Sequence, residues 1–360
     1  MGTVTVGVSL PRDWVGSRGL VAGQPVFVRM LPDGSLVLRD SELRQQPVIS
    51  TLTIDPKEPG EHLFRRLVGA YLAGTTEFAL SQPTGLTPET RAIARSFARR
   101  IGHIESVSEE KTTMLLRDVS VGSGLPASQL LRRMFQLVHD LQLEAGTSWN
   151  QRIAPGTDFD ARDDEVDRCA WQVERLLGLE LSGLSPEGSS RSDVGEALRF
   201  LLWARDLERI GDHAVLIAQH GTRLAEATPP EPLRRMLSSY HAQVLDHLRA
   251  ANAVVEAPDA TRANEVLDVG EALHQTQAAL ADQLLMQEST GRLSASAIRS
   301  LGLILQSIDR TTAYAQNLAE LGLDRALDRS ARPVPALPAV PAREPSLSSR
   351  TTTRGRKKQE

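Results

Sequence analysis

Apolar and polar residues alternate at Thr3–Ser9, Val26–Met30 and Ser35–Arg39, the period of half-buried strands. Asp33-Gly34 separates the last two runs, a pair that closes tight hairpins because it tolerates positive φ. With one helical turn at Arg12–Ser17, residues 1–46 hold too little apolar surface to enclose a core alone, so dimerisation through them is expected. Over 48–120, strand-like runs stand at Val48–Ile54, Glu77–Leu80, Ile104–Ser108 and Thr112–Asp118. Helical patterns lie between them at Glu61–Ala73 and Pro88–Ile101, the second opened by Thr87 as N-cap and Pro88 at the first helical position. This stretch reads as α/β. Residues 125–325 carry long patterns of helical period. The tail, 331–360, holds five of the 20 prolines with Ser, Thr and a basic end, a composition that cannot bury enough apolar surface to fold.

The helical region repeats itself. Leu131-Arg132-Arg133-Met134 recurs as Leu233-Arg234-Arg235-Met236, Glu208-Arg209 as Asp309-Arg310, and Val166-Asp167 as Leu267-Asp268. The offset is 101 or 102 residues, room for three helices per unit with breaks at Gly146–Gly156 and Ser182–Ser190 in the first. Two three-helix bundles in tandem are the expectation.

Composition narrows the function. Aromatics at 4% disfavour recognition of single-stranded nucleic acid by stacking, and the single cysteine, Cys169, excludes a disulfide framework and any cysteine-based zinc cluster. No apolar run approaches 18 residues, so no membrane insertion is expected and the cytoplasm is the default compartment. Only four lysines occur, so arginine carries nearly all the positive charge. The tail has seven Arg/Lys and two Glu, or +5, which leaves −9 of the total −4 on the rest of the chain. There is no GxxxxGK[ST] loop, no GxGxxG after a strand and no GxSxG elbow, so an enzyme is not expected.

At 100° per residue, the helix ending at His220 sorts into three arcs. Trp203, Leu207, Ile210, Ala214 and Ile217 form a packing face, and Arg199, Asp206, Arg209, His213 and His220 a solvated one. Glu208 and Asp212 share a third, apolar strip with Ala197, Leu201, Ala204 and Val215. Carboxylates at i and i+4 on such a strip repel each other and resist ionisation, a conflict that a bound cation or a facing arginine removes. The preceding helix offers Asp163, Asp167 and Glu174 beside a core face of Val166, Ala170, Val173 and Leu177, with Cys169 turned inward. Packed antiparallel, the two helices gather an oxygen-only set that suits iron, Mg²⁺, Mn²⁺ or Ca²⁺. In the second unit Asp163, Asp167, Glu208 and Asp212 align with Asn264, Asp268, Asp309 and Ala313. A site there, on Asp268 and Asp309 with Glu265 in partial compensation, should be weaker.

Arg205-Asp206-Leu207-Glu208-Arg209-Ile210-Gly211-Asp212-His213-Ala214, running on to Ile217-Ala218, resembles the signature helix of the PhoU family of phosphate-uptake regulators. The resemblance implies E/DxxxD motifs on a bundle surface that bind metal clusters; the first matches through Glu208 and Asp212, and the second departs at Ala313. Val8-Ser9-Leu10-Pro11, Trp14, Gly19-Leu20, Gly23, Val26 and Asp33-Gly34-Ser35-Leu36 resemble the AbrB/SpoVT swapped-hairpin domain, which interlocks as a dimer and reads DNA with basic residues. Arg12, Arg18 and Arg29 are the corresponding DNA-binding residues, with Arg39 behind them, although residues 1–46 carry a net charge of only +1. The combination, with Arg65–Gly74 and the α/β stretch, resembles archaeal-type regulators that join both modules.

The expected protein is therefore multidomain and mainly α: tandem PhoU-like three-helix bundles behind a small β swapped-hairpin domain and a small α/β segment. The divisions are 1–46 (DNA binding and dimerisation), 47–124 (α/β), 125–226 and 227–328 (the two repeats) and 329–360 (a disordered basic tail). The expected function is transcriptional regulation of phosphate uptake and homeostasis, as a homodimer on double-stranded DNA with a metal-binding sensor region. The alternative is an adaptor docking on a phosphate transporter or sensor kinase, with residues 1–46 only dimerising. Two other patterns read as a solvated face and as a chance match, in that order. Arg91, Arg95 and Arg99 form a solvated helix stripe, and Glu271-x-x-His274, the spacing of di-iron sites, occurs once where such sites need two copies.

Overall fold

The computed structural model describes residues 7–30, 36–40, 48–120, 125–151, 153, 155–156, 158–181, 194–224, 229–289 and 293–330. The protein is mainly α and multidomain. Its N-terminal piece has a short helix α1 (Arg12–Ser17) and strands β1 (Phe27–Met30) and β2 (Leu36–Arg39), antiparallel with Val28 opposite Leu38. None of its described residues is buried, and Val21, Val28 and Leu36 are more than half exposed. The Asp33-Gly34 turn, most of the Thr3–Ser9 run, the Ser182–Ser190 break and the 331–360 tail lie outside the described residues.

The α/β unit follows the expected pattern within a residue or so. Its elements are β3 (Ile49–Thr53), α2 (Gly60–Leu72), β4 (Glu77–Ser81), α3 (Pro88–Ile101), β5 (Ile104–Glu109) and β6 (Thr113–Asp118). The sheet order is β3-β4-β6-β5, with β3 parallel to β4 across α2 and the remaining pairs antiparallel. Thr87 caps α3 by accepting from the Thr90 N–H at 3.1 Å, and Gly102, at φ 86°, ends it where a side chain would be strained. Leu67, Phe78, Phe97, Ile101 and Leu116 are fully buried between helices and sheet.

Among the described residues, six long helices make the rest: α4 (Ala127–Asn150), α5 (Phe159–Leu181), α6 (Val194–Arg223), α7 (Glu231–Glu256), α8 (Ala260–Ser289) and α9 (Ala295–Ser330). Helix α4 runs through the expected break at Gly146 to Asn150, because Ala145, Gly146, Ser148 and Trp149 are all packed inside. The apolar faces of both three-helix sets share one continuous core. At its centre Gln142, wholly buried, donates to the carbonyl of Ile210 and to Thr311 Oγ1, tying α4 to α6 and α9. Two glycines at the repeat spacing allow close helix crossings: a Cβ on Gly221 would lie 1.9 Å from Ser148 Oγ, and one on Gly322 would lie 2.5 Å from Val254 Cγ1.

One helix face departs from expectation. Trp203, Leu207, Ile210, Ala214 and Ile217 of α6 are buried as the pattern requires. The face expected to be solvated is instead largely covered by α9: Arg199 pairs with Asp328, Asn317 donates to Asp206, and His213 stacks near Tyr314. Only Arg209 of that set stays exposed. The polar side chains face polar partners on the second helix set, an arrangement that a single-helix pattern cannot display.

Candidate functional site

Helices α5 and α6 run antiparallel, as Glu174 pairing with Arg205 near one end and Asp163 approaching Gly211 near the other require. Asp163, Asp167, Glu208 and Asp212 all lie half-buried along this seam. A Cβ on Gly211 would stand 3.7 Å from Asp163 Oδ1, so the glycine leaves the carboxylate close to the α6 backbone. Burial, then the charges of Asp167 and Asp212, push the Asp163 carboxyl up to about 7. Burial also raises Asp167, against the pull of Arg100, and it raises Glu208 together with the charge of Asp212. Four of the expected residues therefore sense one another across the seam. Glu174 does not join them, being drawn to Arg205 at 2.7 Å.

Arginines partly neutralise the seam. Arg209 places Nε 3.4 Å from Glu208 Oε2 and Nη1 3.1 Å from Asp212 Oδ2. Glu208 Oε2 is buried with no hydrogen-bond partner. From α3, Arg100 Nη2 reaches Asp164 Oδ1 at 2.6 Å and Asp167 Oδ2 at 2.8 Å. Sequence reasoning allowed for a facing arginine without identifying it. Arg100 is 67 residues from Asp167 in another unit, and no local pattern joins them.

A joint of arginines extends along α5. Arg168 donates to the Arg100 carbonyl, and Arg175 donates to the Tyr71 carbonyl and, at 3.1 Å, to Asp118 Oδ2. The Arg175–Asp118 pair is buried, with side chains 9% and 2% exposed. Its guanidinium lies 4.4 Å from the Tyr71 ring centre, while Trp171 packs its indole into the α/β core. Arg91 and Arg95 of the expected solvated stripe both pair with Glu109 of β5.

The second unit is arranged differently. Asp268 is exposed, and Asp309 is engaged by His274 Nδ1 at 2.6 Å and by the Tyr240 hydroxyl at 3.5 Å. Gln316 Oε1 takes the other His274 nitrogen at 2.8 Å. Partial burial works against the charged imidazole, but the hydrogen bonds to Asp309 and Gln316 outweigh it and hold its pKa above the ordinary value. Here the polar site is a histidine–carboxylate pair. His274 was legible only as half of a motif that needed a second copy.

In the N-terminal piece, Arg12 and Arg18 are exposed, with Arg18 Nε 3.9 Å from Asp40 Oδ2. Arg29 stands on β1 opposite Val37. The first-unit set has the all-oxygen chemistry that a hard cation takes, and Glu208 supplies an unsatisfied buried oxygen. Among the described residues, however, no three His, Cys, Asp or Glu side chains converge to hold an ion. The donors are present but are turned toward Arg100 and Arg209.

Residues 131–220, from α4 through most of α6, match the family model of the PhoU domain. No curated protein sequence matches the chain. Among solved structures, the crystal structure of PhoU from Pseudomonas aeruginosa is similar at 20% identity with a TM-score of 0.46, covering 57% of this chain and 96% of that one.

Proposed function

We propose that the protein is a PhoU-type regulator of phosphate homeostasis, negative in sense, acting as a homodimeric transcription factor in the cytoplasm. The match of residues 131–220 to the PhoU domain carries this reading, because that segment includes the α5–α6 seam and its carboxylates. Residues 1–46 serve as the AbrB-type domain. Val21, Val28 and Leu36 are left bare in one chain, and exposed Arg12 and Arg18, with Arg29 on β1, supply phosphate-contacting charge that a dimer doubles. The remaining divisions, 47–124, 125–226, 227–328 and 329–360, follow the sequence reading.

Asp163, Asp167, Glu208 and Asp212 hold a hard cation, iron, Mg²⁺, Mn²⁺ or Ca²⁺, whose charge offsets their mutual repulsion; Asp268 and Asp309 form at most a weaker second site. A ligand or partner on the bundles alters the relative placement of the N-terminal dimers and so DNA affinity. No helix among the described residues is long and apolar enough to cross a membrane. The assigned role is regulatory rather than catalytic. The second reading, an adaptor on a phosphate transporter or sensor kinase, is favoured by the +1 net charge of residues 1–46.

A gel-shift titration against the protein's own upstream region and a phosphate-transporter promoter, at two salt concentrations, separates the two. Selective binding that disappears with residues 1–46 supports the regulator. Equal, weak, salt-sensitive binding to every sequence supports the adaptor. Metal content that falls in Glu208→Ala/Asp212→Ala, with the helical signal unchanged, supports the cation site; unchanged metal content removes it.

A further inference from the structure

The α/β unit meets the helical bundles chiefly where α2 and α3 lie on α5, so one helix carries most of the joint. Units joined over a small surface move relative to one another unless specific contacts hold them. Here the contacts gather on one buried carboxylate. Asp118, at the end of β6, accepts from Arg175 at Oδ2 and from the Ser120 N–H and hydroxyl at Oδ1. Arg175 also bonds the Tyr71 carbonyl and lies over the Tyr71 ring. Arg168 bonds the Arg100 carbonyl and runs alongside Gly102.

His103 stands at the rim of this cluster, between Gly102 and β5. Its Nε2 is 3.2 Å from the Tyr71 hydroxyl and 3.7 Å from Asp118 Oδ1. The His103 side chain is 19% exposed, so a proton reaches it from solvent, whereas Asp118 at 2% is sealed. Among the described residues, the charged and titratable groups facing the ring are Tyr71 of α2, Asp118 of β6, and Arg168 and Arg175 of α5. A neutral ring can accept the Tyr71 proton at Nε2 or donate its own; a charged ring can only donate. The count of charges decides which form the docked joint takes. Two guanidinium groups from α5 already face one carboxylate, and an imidazolium would add a third positive charge in a nearly closed space. Burial, foremost, lowers His103 from the ordinary histidine value; Asp118 pulls it up, and Arg175 and Arg168 push it down again.

Undocking takes away both arginines and the cover of α5. It leaves Asp118, which belongs to the same unit as His103. The separated unit therefore suits an imidazolium beside a carboxylate, and the docked one a neutral ring.

We propose that His103 is a proton-operated release for this joint: the neutral ring permits docking on α5, and protonation gives Asp118 a cation from its own unit in place of Arg175. Docking is fully supported above the ordinary histidine value and weakens as pH falls below it. A single proton taken up on release changes the docking equilibrium by at most about tenfold per pH unit. The α/β unit follows the N-terminal piece directly in the chain, so its release changes how residues 1–46 are held relative to the bundles. No cation at the α5–α6 seam is involved.

The test uses the full chain and native-state amide exchange over 64–72 of α2 and 168–177 of α5. Rates are followed from about pH 7.5 to about pH 5.5, across the histidine range, with the chemical exchange rate at each pH divided out. Exchange over 244–255 of α7 reports the bundles. Wild type is compared with His103→Gln and His103→Asn, which keep a neutral polar side chain at the joint, and with His62→Gln, which removes an exposed histidine of α2. In wild type, opening at both joint segments should rise about three- to tenfold as pH falls, with α7 unchanged. Both His103 variants should lose the rise, and His62→Gln should keep it. A flat wild-type profile would overturn the release, as would a rise that survives in either His103 variant. A parallel rise in α7 would overturn it too, showing general acid destabilisation. Should both His103 variants already exchange faster at the upper pH, NMR titration of the wild-type ring decides. A midpoint below the ordinary histidine value supports the release, and one at or above it overturns the release.

Discussion

The Arg175–Asp118 pair is where the joint between the α/β unit and α5 is most exposed to a single substitution. Arg175→Ala removes a charged partner from a carboxylate whose side chain is 2% exposed, together with the bond to the Tyr71 carbonyl and the stacking over the Tyr71 ring. Breaking a buried ion pair on one side costs about 3–5 kcal/mol, because the charge left behind is neither hydrated nor compensated. Asp118 Oδ1 keeps the Ser120 N–H at 2.9 Å and the Ser120 hydroxyl at 2.6 Å, which places the loss at the low end, about 3 kcal/mol. The assay is native-state hydrogen exchange of the α2 and β4 amides, which reports the free energy of opening the α/β unit separately from that of the bundles. Asp118→Asn and the double variant complete a cycle, with an expected coupling of about 2 kcal/mol. A loss below about 1 kcal/mol in Arg175→Ala, or a coupling near zero, would refute the pair as the anchor of the joint.

Three further outcomes follow from the same geometry. With its pKa raised from 3.8 to about 7, Asp163 binds its proton more tightly folded than unfolded. Its contribution to stability therefore falls as pH rises from about 4 through about 7, and Asp163→Asn should remove that slope from urea midpoints measured across the range. His274 is also raised, so the stability it supplies is fully present below the unfolded value, near 6.5, and fades as pH climbs through the folded one. His274→Ala should abolish that fade, and an imidazole titration by NMR midway below the ordinary value would contradict the Asp309 pairing. Gly221→Ala should destabilise the bundles by about 1–3 kcal/mol in thermal unfolding despite alanine's better helix propensity, since the new Cβ would meet Ser148 Oγ at 1.9 Å and the Trp149 backbone N at 2.9 Å. A neutral or stabilising result would show that α4 and α6 do not approach as closely as described.

What the chain determined alone is what depends on neighbours in sequence. The helical period fixed the buried face of α6, from Trp203 to Ile217, and Thr87-Pro88 fixed the start of α3, because periodicity and capping act within a few residues. The same arithmetic set Glu208 and Asp212 apart on their own strip and drew attention to Asp163 and Asp167. Tertiary structure decided which charges answer them. Arg100 comes from another unit, His274 answers Asp309 across two helices, and α9 covers the α6 face that looked solvated. Those pairings depend on how separate elements are brought together in space. A residue's own helical period carries no record of the helix that packs against it.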